Sequence, residues 1–230
     1  MTFLNYSNEL RTIGKSRAAR CVVALVLAVT STAIHAVYAD EVAVPEGFEL
    51  LFDGKSLEGW DGEPKIFRVE DGAIVGGSLE RPVARNEFLS TKKRYSDFEL
   101  RLEFKILGEG ANAGVQIRSE RIPDHHEMIG YQADLGEGWW GCLYDESRRN
   151  RILAGPPEDQ RAQPVKIGQW NQYVIRCEGR RIRLWINGKQ TVDYTEQDEN
   201  ISQSGLIALQ IHGGPPSEAW YRAIMIRELK

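Results

Sequence analysis

The amino-acid sequence predicts an all-β fold, a sandwich or jelly roll of short antiparallel strands, and three observations carry that prediction. Phe98, Leu100, Leu102, Phe104 and Ile106 alternate strictly with Glu99, Arg101, Glu103 and Lys105, the period-two pattern of a strand with one buried and one solvated face. Tyr173, Ile175 and Cys177, then Ile182, Leu184 and Ile186, form two further alternating runs, separated by Gly179 and followed by Asn187-Gly188. That last pair tolerates the positive φ of a type I′ hairpin. No segment keeps a helical period over three turns, and many short strands bounded by turn residues indicate two packed sheets.

Read from the N-terminus, the chain opens on residues outside that fold. Arg11, Lys15, Arg17 and Arg20 precede an apolar run from Cys21 to Val29, and small residues then lead to Val37-Tyr38-Ala39. This is the order of an export signal with its cleavage site, so residues 1–39 are expected to be removed and the remainder to work in the periplasm or outside the cell. The run is too short to span a bilayer. The segment holds four of the 29 basic and one of the 33 acidic residues, which leaves 25 against 32 and a net charge of −7. So acidic a chain lacks the basic face that nucleic acid requires. Residues 40–230 read as a single domain with no second apolar span, repeat or linker, so no membrane span is expected after processing.

Within that domain strands are expected at 48–52, at 66–70 and 73–76 across an Asp71-Gly72 turn, and at 87–90, 97–106, 114–119, 130–135 and 140–145. The hairpin unit at 173–193 follows, then strands at 205–212 and 220–229. Residues 154–164, rich in proline and polar side chains, read as a loop. Cys142 and Cys177 remain after processing. An oxidising compartment permits a disulfide between them, but Cys177 shares strand parity with Tyr173 and Ile175, and two unpaired core thiols are the favoured reading.

Three strands carry polar residues of an unusual kind. Val115 and Ile117 face one way while Gln116 and Arg118 face the other; Tyr131 and Ala133 oppose Gln132 and Asp134; Leu209 and Ile211 oppose Gln210 and His212. The plain solvated face of residues 97–106 is Glu, Arg, Glu, Lys. Amides and imidazole instead suit directed hydrogen bonds to a polar ligand, and the three strands are expected to build one concave site. Trp139-Trp140 follows the second of them. One of two adjacent tryptophans normally enters the core, and the other is then free to stack on the C–H face of a sugar. Tyr131 and Glu146 complete the expected binding set of Gln116, Gln132, Gln210, Trp139 and Trp140. His125-His126-Glu127 reads as a solvated loop and not as a metal site, because adjacent residues point apart and no HExxH is present. There is no GxSxG, P-loop or ExDxxE pattern, no compact acidic loop that demands calcium, and no cofactor is identified.

The order and spacing of FELLFDGKSLEGW (48–60), FRVEDGAIVGG (67–77), FLSTKKRYSDFELRLEFKI (88–106), GANAGVQIRSE (110–120), GYQAD (130–134), GQWNQYVIRCEGRRIRLWINGK (168–189) and GLIALQIHGG (205–214) resemble the 3-keto-disaccharide hydrolase family over nearly the whole processed length. The resemblance implies a concanavalin-like jelly roll and a keto-sugar substrate. Two positions depart from the family pattern: Asn112-Ala113-Gly114 where Asn-Ser-Gly is common, and Tyr131-Gln132-Ala133-Asp134 where Tyr-Glu-x-Gln is common, as if acid and amide were exchanged. A ketone at C3 acidifies the C2 proton, so cleavage proceeds by proton abstraction, elimination and hydration, a hydrolase or lyase chemistry that needs a base, an acid and a donor to the C3 oxygen. His212 or Asp134 is the expected base and Arg118 the oxyanion donor. The alternative is a non-catalytic carbohydrate-binding, laminin-G-like or lectin-like module, since this fold serves both; the titratable His212, Asp134 and Arg118 favour the enzyme. N-terminal sequencing of the exported protein should begin near Asp40, and a chain still starting at Met1 would refute the export reading.

Overall fold

The computed structural model describes residues 43–230, and the expected export signal at 1–39 lies outside the described residues. Two antiparallel sheets form the domain. The first runs β13 (Lys189–Thr195), β12 (Arg181–Ile186), β11 (Asn171–Glu178), β6 (Phe98–Leu107), β15 (Ser217–Glu228), β4 (Ala73–Ser78), β3 (Phe67–Glu70), and β1 (Glu49–Leu50) also pairs with β15. The second runs β10 (Ile152–Ala154), β9 (Leu143–Glu146), β8 (Met128–Gly136), β7 (Asn112–Arg121), β14 (Leu206–Ile211), β5 (Glu87–Thr91), β2 (Trp60–Asp61). The all-β jelly-roll expectation is met. Among the described residues the one helical element is a single 3-10 turn at Glu158–Gln160, inside the expected loop, and no helix is long and apolar enough to cross a membrane.

Period two decides what each strand contributes. Phe98, Leu100, Leu102, Phe104 and Ile106 of β6 pack with Tyr173, Ile175 and Cys177 of β11 and Ile182, Leu184 and Ile186 of β12 on the inner face of the first sheet. Ala113, Val115 and Ile117 of β7, Ala133 and Leu135 of β8, and Ile207, Leu209 and Ile211 of β14 meet them from the second. The second sheet therefore keeps a whole outer face, Gly114, Gln116, Gln132, Asp134, Ala208 and Gln210, free for other uses. Cys142 and Cys177 are separate buried thiols, and burial pushes them up to about 11 and about 12.

The sequence places a strand at 140–145, but residues 137–141 form a turn and β9 begins at Leu143. Gly138 and Gly141 both adopt positive φ there, which a pleated strand does not accommodate. The tryptophan pair thus sits on the turn. A second difference is larger. Arg118 has φ +49° and the β7–β8 register shifts between Ile117 and Glu120, a β-bulge that breaks the alternation. Arg118 therefore leaves the outer face. Its guanidinium is buried at one end of the sandwich, donating to Ser96 O (2.7 Å), Gly179 O (2.6 Å), Gln203 Oε1 (2.7 Å) and Asp97 Oδ1 (2.8 Å).

Those four acceptors come from both sheets' connections, so Arg118 fastens the sandwich end. Arg118→Ala should destabilise the fold by on the order of 3 kcal/mol, the cost of orphaning buried partners of a charged group. Chemical denaturation measures it, and a change below about 1 kcal/mol would contradict the placement.

Candidate functional site

The outer face of the second sheet holds a directed chain of hydrogen bonds. Ser119 Oγ donates to Gln116 Oε1 (2.6 Å), Gln116 Nε2 to Gln132 Oε1 (2.8 Å), and Gln132 Nε2 to Asp134 Oδ1 (2.7 Å). Each amide's orientation is fixed by its neighbour, because an oxygen that accepts on one side leaves the NH₂ facing the other. Gln116 is opposite Gln132 in register, and Gly114 is flanked by Asp134 on one side and Gln210 on the other. Gly114 is required here by space: a Cβ would meet Gln132 Cδ and Cγ at 2.7 Å. The glutamine lies across it to reach Asp134.

The chain ends on atoms that have no partner. Asp134 Oδ2, both amide atoms of Gln210, and Glu127 Oε2 are buried and unpaired. Asp134 and Gln210 are 3% and 0% exposed. Leaving such groups unsatisfied costs free energy, so four on one face mark a place built to be completed by a polar ligand. A separate cleft of about 610 Å³ at the β3–β4 edge of the first sheet, with Arg68, Glu218 and Trp220 in its lining, lacks this property. Arg68 pairs with Glu70 and Glu218, and Trp220 Nε1 donates to Glu218. We therefore place the site by its unsatisfied groups and not by cleft size.

Glu127 arrives from the hairpin between β7 and β8, which folds over the sheet as an arm. Arg121 reaches across to Asp61 O (2.7 Å), Phe88 O (3.1 Å) and Ser90 Oγ (3.0 Å). Met128 packs on Phe88 and Ala208, the apolar outward residues of β5 and β14. His126 Nδ1 contacts Asn86 O at 3.1 Å, and Asn86 Nδ2 donates to Glu127 Oε1 at 3.1 Å. The arm covers the β14–β5 side.

Next to β8 stand Glu146 and Tyr144 of β9, with Tyr144 in register with Gln132. Trp139 meets the Tyr144 ring edge-on at 5.7 Å and is 37% exposed. Trp140 is in the core, stacked on Phe104. The tryptophan pair divides as expected, and Trp139 is the one that can offer a stacking face. Burial pushes the Asp134 carboxyl well above the carboxylate range, with the charge of Glu146 adding to it and the Gln132 donor opposing. Burial likewise lifts Glu146, with the charge of Glu127 next, to about 7.

Of the expected residues, Gln116, Gln132, Asp134 and Gln210 are brought together, with Glu146 beside them and Trp139 on the rim. Arg118 does not join Asp134 on this face. Arg118 is turned inward by its bulge. His212 is exposed just past the end of β14, with Nδ1 2.7 Å from Gly213 O. Tyr131 and Trp140 face the interior, so neither can touch a ligand on the outer face. The Tyr131 hydroxyl donates to Glu196 Oε2 at 2.7 Å. Glu127, expected in a solvated loop, belongs to the site, as do Tyr144 and Ser119. One signal points to the arm: Met128, Phe88 and Ala208 are apolar at outward positions, which implies a cover. Among the described residues no three His, Cys, Asp or Glu side chains are grouped to hold a metal ion.

Two layered sheets with a polar trough on one outer face define a concanavalin-like jelly roll. The match to known proteins is then specific: residues 47–227 fit the 3-keto-alpha-glucoside-1,2-lyase-like domain, and the chain belongs to that family. It is 23% identical to a 3-keto-disaccharide hydrolase of Bacteroides thetaiotaomicron, covering 86% of this chain and 85% of that protein. A Parabacteroides distasonis protein whose proposed class is glycosyl hydrolase superposes with TM-score 0.62 at 21% identity, over 82% of this chain and 99% of the other. The carbohydrate-binding module CBM66 of Bacillus subtilis gives TM-score 0.58 at 13% identity, over 74% and 96%. These two likenesses establish the fold alone.

Gly114→Ala should displace Gln132 and release Asp134 from its donor. Saccharide affinity measured by calorimetry is expected to fall at least tenfold, while denaturation shows a loss no greater than about 3 kcal/mol, the usual range for overpacking. Unchanged affinity would remove the Gln132–Asp134 pair from the site.

Proposed function

We propose that this protein is exported and cleaves 3-keto-glucosides outside the cytoplasm, with Glu146 as base and Asp134 as acid. The observation that carries the reading is the set of buried, unpaired polar atoms on Asp134, Gln210 and Glu127 beside two carboxyls whose proton affinities are raised. Family membership and the activity named for the Bacteroides relative supply the substrate class.

The Glu146 carboxylate takes the C2 proton of a sugar whose C3 is a ketone. The electron pair moves onto the C3 oxygen as an enolate, which the unpaired Gln210 Nε2–H stabilises by donating to it. Collapse of the enolate restores the ketone, forms the C1–C2 double bond and expels the group on C1. That group takes its proton from Asp134 Oδ2, while Gln132 holds Oδ1. Water then adds at C1, giving its proton back to Asp134, and C2 recovers a proton from Glu146. The net change is hydrolysis, and both carboxyls return to their starting states. The face of Trp139 supports the sugar ring.

The sign of the pH dependence follows. A base lifted to about 7 is half ionised there, so turnover should rise as pH climbs through about 7. It should fall again at higher pH, where Asp134 loses the proton that burial holds on it. Asp134→Asn and Glu146→Gln should each lose about 10²-fold or more in kcat with melting temperature nearly unchanged. Turnover retained in both variants would exclude this acid–base pair. A wild type that binds glucosides yet turns over no 3-keto-glucoside would make the protein a binding module.

A further inference from the structure

Glu127 brings a buried, unpaired carboxylate oxygen to this face from outside the sheet. It rides on the arm, and its placement depends on what fastens the arm. Three hydrogen bonds meet at Asn86, the residue just before β5. Its Oδ1 accepts from the Gly213 N–H at 3.0 Å, its Nδ2 donates to Glu127 Oε1 at 3.1 Å, and its backbone oxygen faces His126 Nδ1 at 3.1 Å. The Gly213 contact admits only an acceptor, so the amide cannot be reversed and its NH₂ must face the arm. One Glu127 oxygen is thereby occupied, and the other stays buried and unpaired. Gln210, fully buried with both amide atoms unpaired, stands on the same face, so the free oxygen belongs to a set awaiting a ligand.

We infer that Asn86 is a positioning residue: it latches the arm across β14 and β5 so that the free Glu127 oxygen accepts a hydrogen bond from a sugar hydroxyl. The role in substrate binding rests on the function proposed above. The latch is chemically polar in one direction, donor on residue 86 and acceptor on residue 127. Asn86→Asp keeps the shape and the bond from Gly213 but turns an acceptor toward Glu127. Two carboxylates then oppose each other and the arm is released. The double variant Asn86→Asp/Glu127→Gln restores a hydrogen bond with its polarity reversed, since the new amide donates to the new carboxylate. It restores the latch and leaves the amide oxygen at position 127 facing the ligand as an acceptor.

Steady-state kinetics on a 3-keto-glucoside and thermal melting, run on wild type, the two single variants and the double variant, decide the matter. Asn86→Asp should lower the melting temperature and raise KM at least tenfold with kcat within about threefold, the pattern of a lost substrate contact. Glu127→Gln should raise KM similarly. The double variant should regain both the wild-type melting temperature and most of the wild-type KM, because its amide oxygen again faces the sugar hydroxyl. A double variant that regains the melting temperature but keeps the raised KM would overturn the inference, as would an unchanged KM in Asn86→Asp or in Glu127→Gln. If the wild type turns over no 3-keto-glucoside, the catalytic reading fails by itself. The same four proteins are then compared by calorimetric affinity for the parent glucoside. A tenfold loss in Asn86→Asp that the double variant recovers upholds the latch. Equal affinity throughout, or no binding by any of them, overturns it.

Discussion

The left-handed backbone at Arg118 is the constraint on which the layout of the second sheet depends. A non-glycine residue at φ +49° in mid-strand is costly, of order 1–3 kcal/mol, and persists only when its surroundings over-determine it. They do so here. Four acceptors hold the guanidinium at the end of the sandwich, and Gly205 stands so close that a Cβ would lie 2.3 Å from the Arg118 carbonyl carbon. The bulge has two consequences. It takes a permanent positive charge off the outer face, and it bends β7 so that the following hairpin leans over that face. Without it, Arg121, Glu127 and Met128 would continue along the sheet and not across it.

What the arm encloses follows the rules for buried polar groups. Gln116 and Gln132 are nearly inaccessible yet cost little, because each is paired on both sides. The chain has one direction, from the Ser119 hydroxyl to Asp134, and it stops one oxygen short. An amide chain of this kind restrains side chains that would otherwise sample many rotamers. It leaves Asp134 Oδ2 and Gln210 as fixed groups. Pre-fixed donors and acceptors are what transition-state stabilisation requires, since no reorganisation remains to be done at the reacting centre.

Much of this was legible in the sequence, and what was not has a physical cause. Alternation in 97–106, 173–177 and 182–186 identified the core face of the first sheet because period two translates directly into burial. The same rule placed Gln116, Gln132, Asp134 and Gln210 on one face of the second. It failed for Arg118 because a bulge inserts one residue, and an arginine gives no notice of adopting positive φ as a glycine would. It failed for Glu127 because a hairpin's direction is set by distant anchors, Asn86, Ser90 and the Asp61 carbonyl, which no local pattern reports. Tyr131 lay on the inward parity throughout. Its hydroxyl is satisfied by Glu196 within the domain.

The contrast between Glu196 and Glu146 shows how the site came to hold acids of high proton affinity. Burial opposes ionisation of both. Glu196 accepts from Arg149, Tyr131 and Tyr194, and those hydrogen bonds bring it down to about 2. The same Arg149 also pairs with Asp145, as Arg148 does. Asp145 and Glu146 are neighbours on β9, and the pleat sends them to opposite sides: Asp145 is wholly buried against two guanidiniums, and Glu146 lies toward Glu127 and Asp134. Arg148 and Arg149 are thus committed to its inner side. On the outer side the charge of Glu127 raises the cost of ionising Glu146, and that of Glu146 the cost of ionising Asp134. One turn of the pleat therefore separates an acid cluster neutralised for stability from one left able to exchange protons near neutrality, and the departure of Arg118 from the outer face is what keeps the second cluster free of a counter-charge.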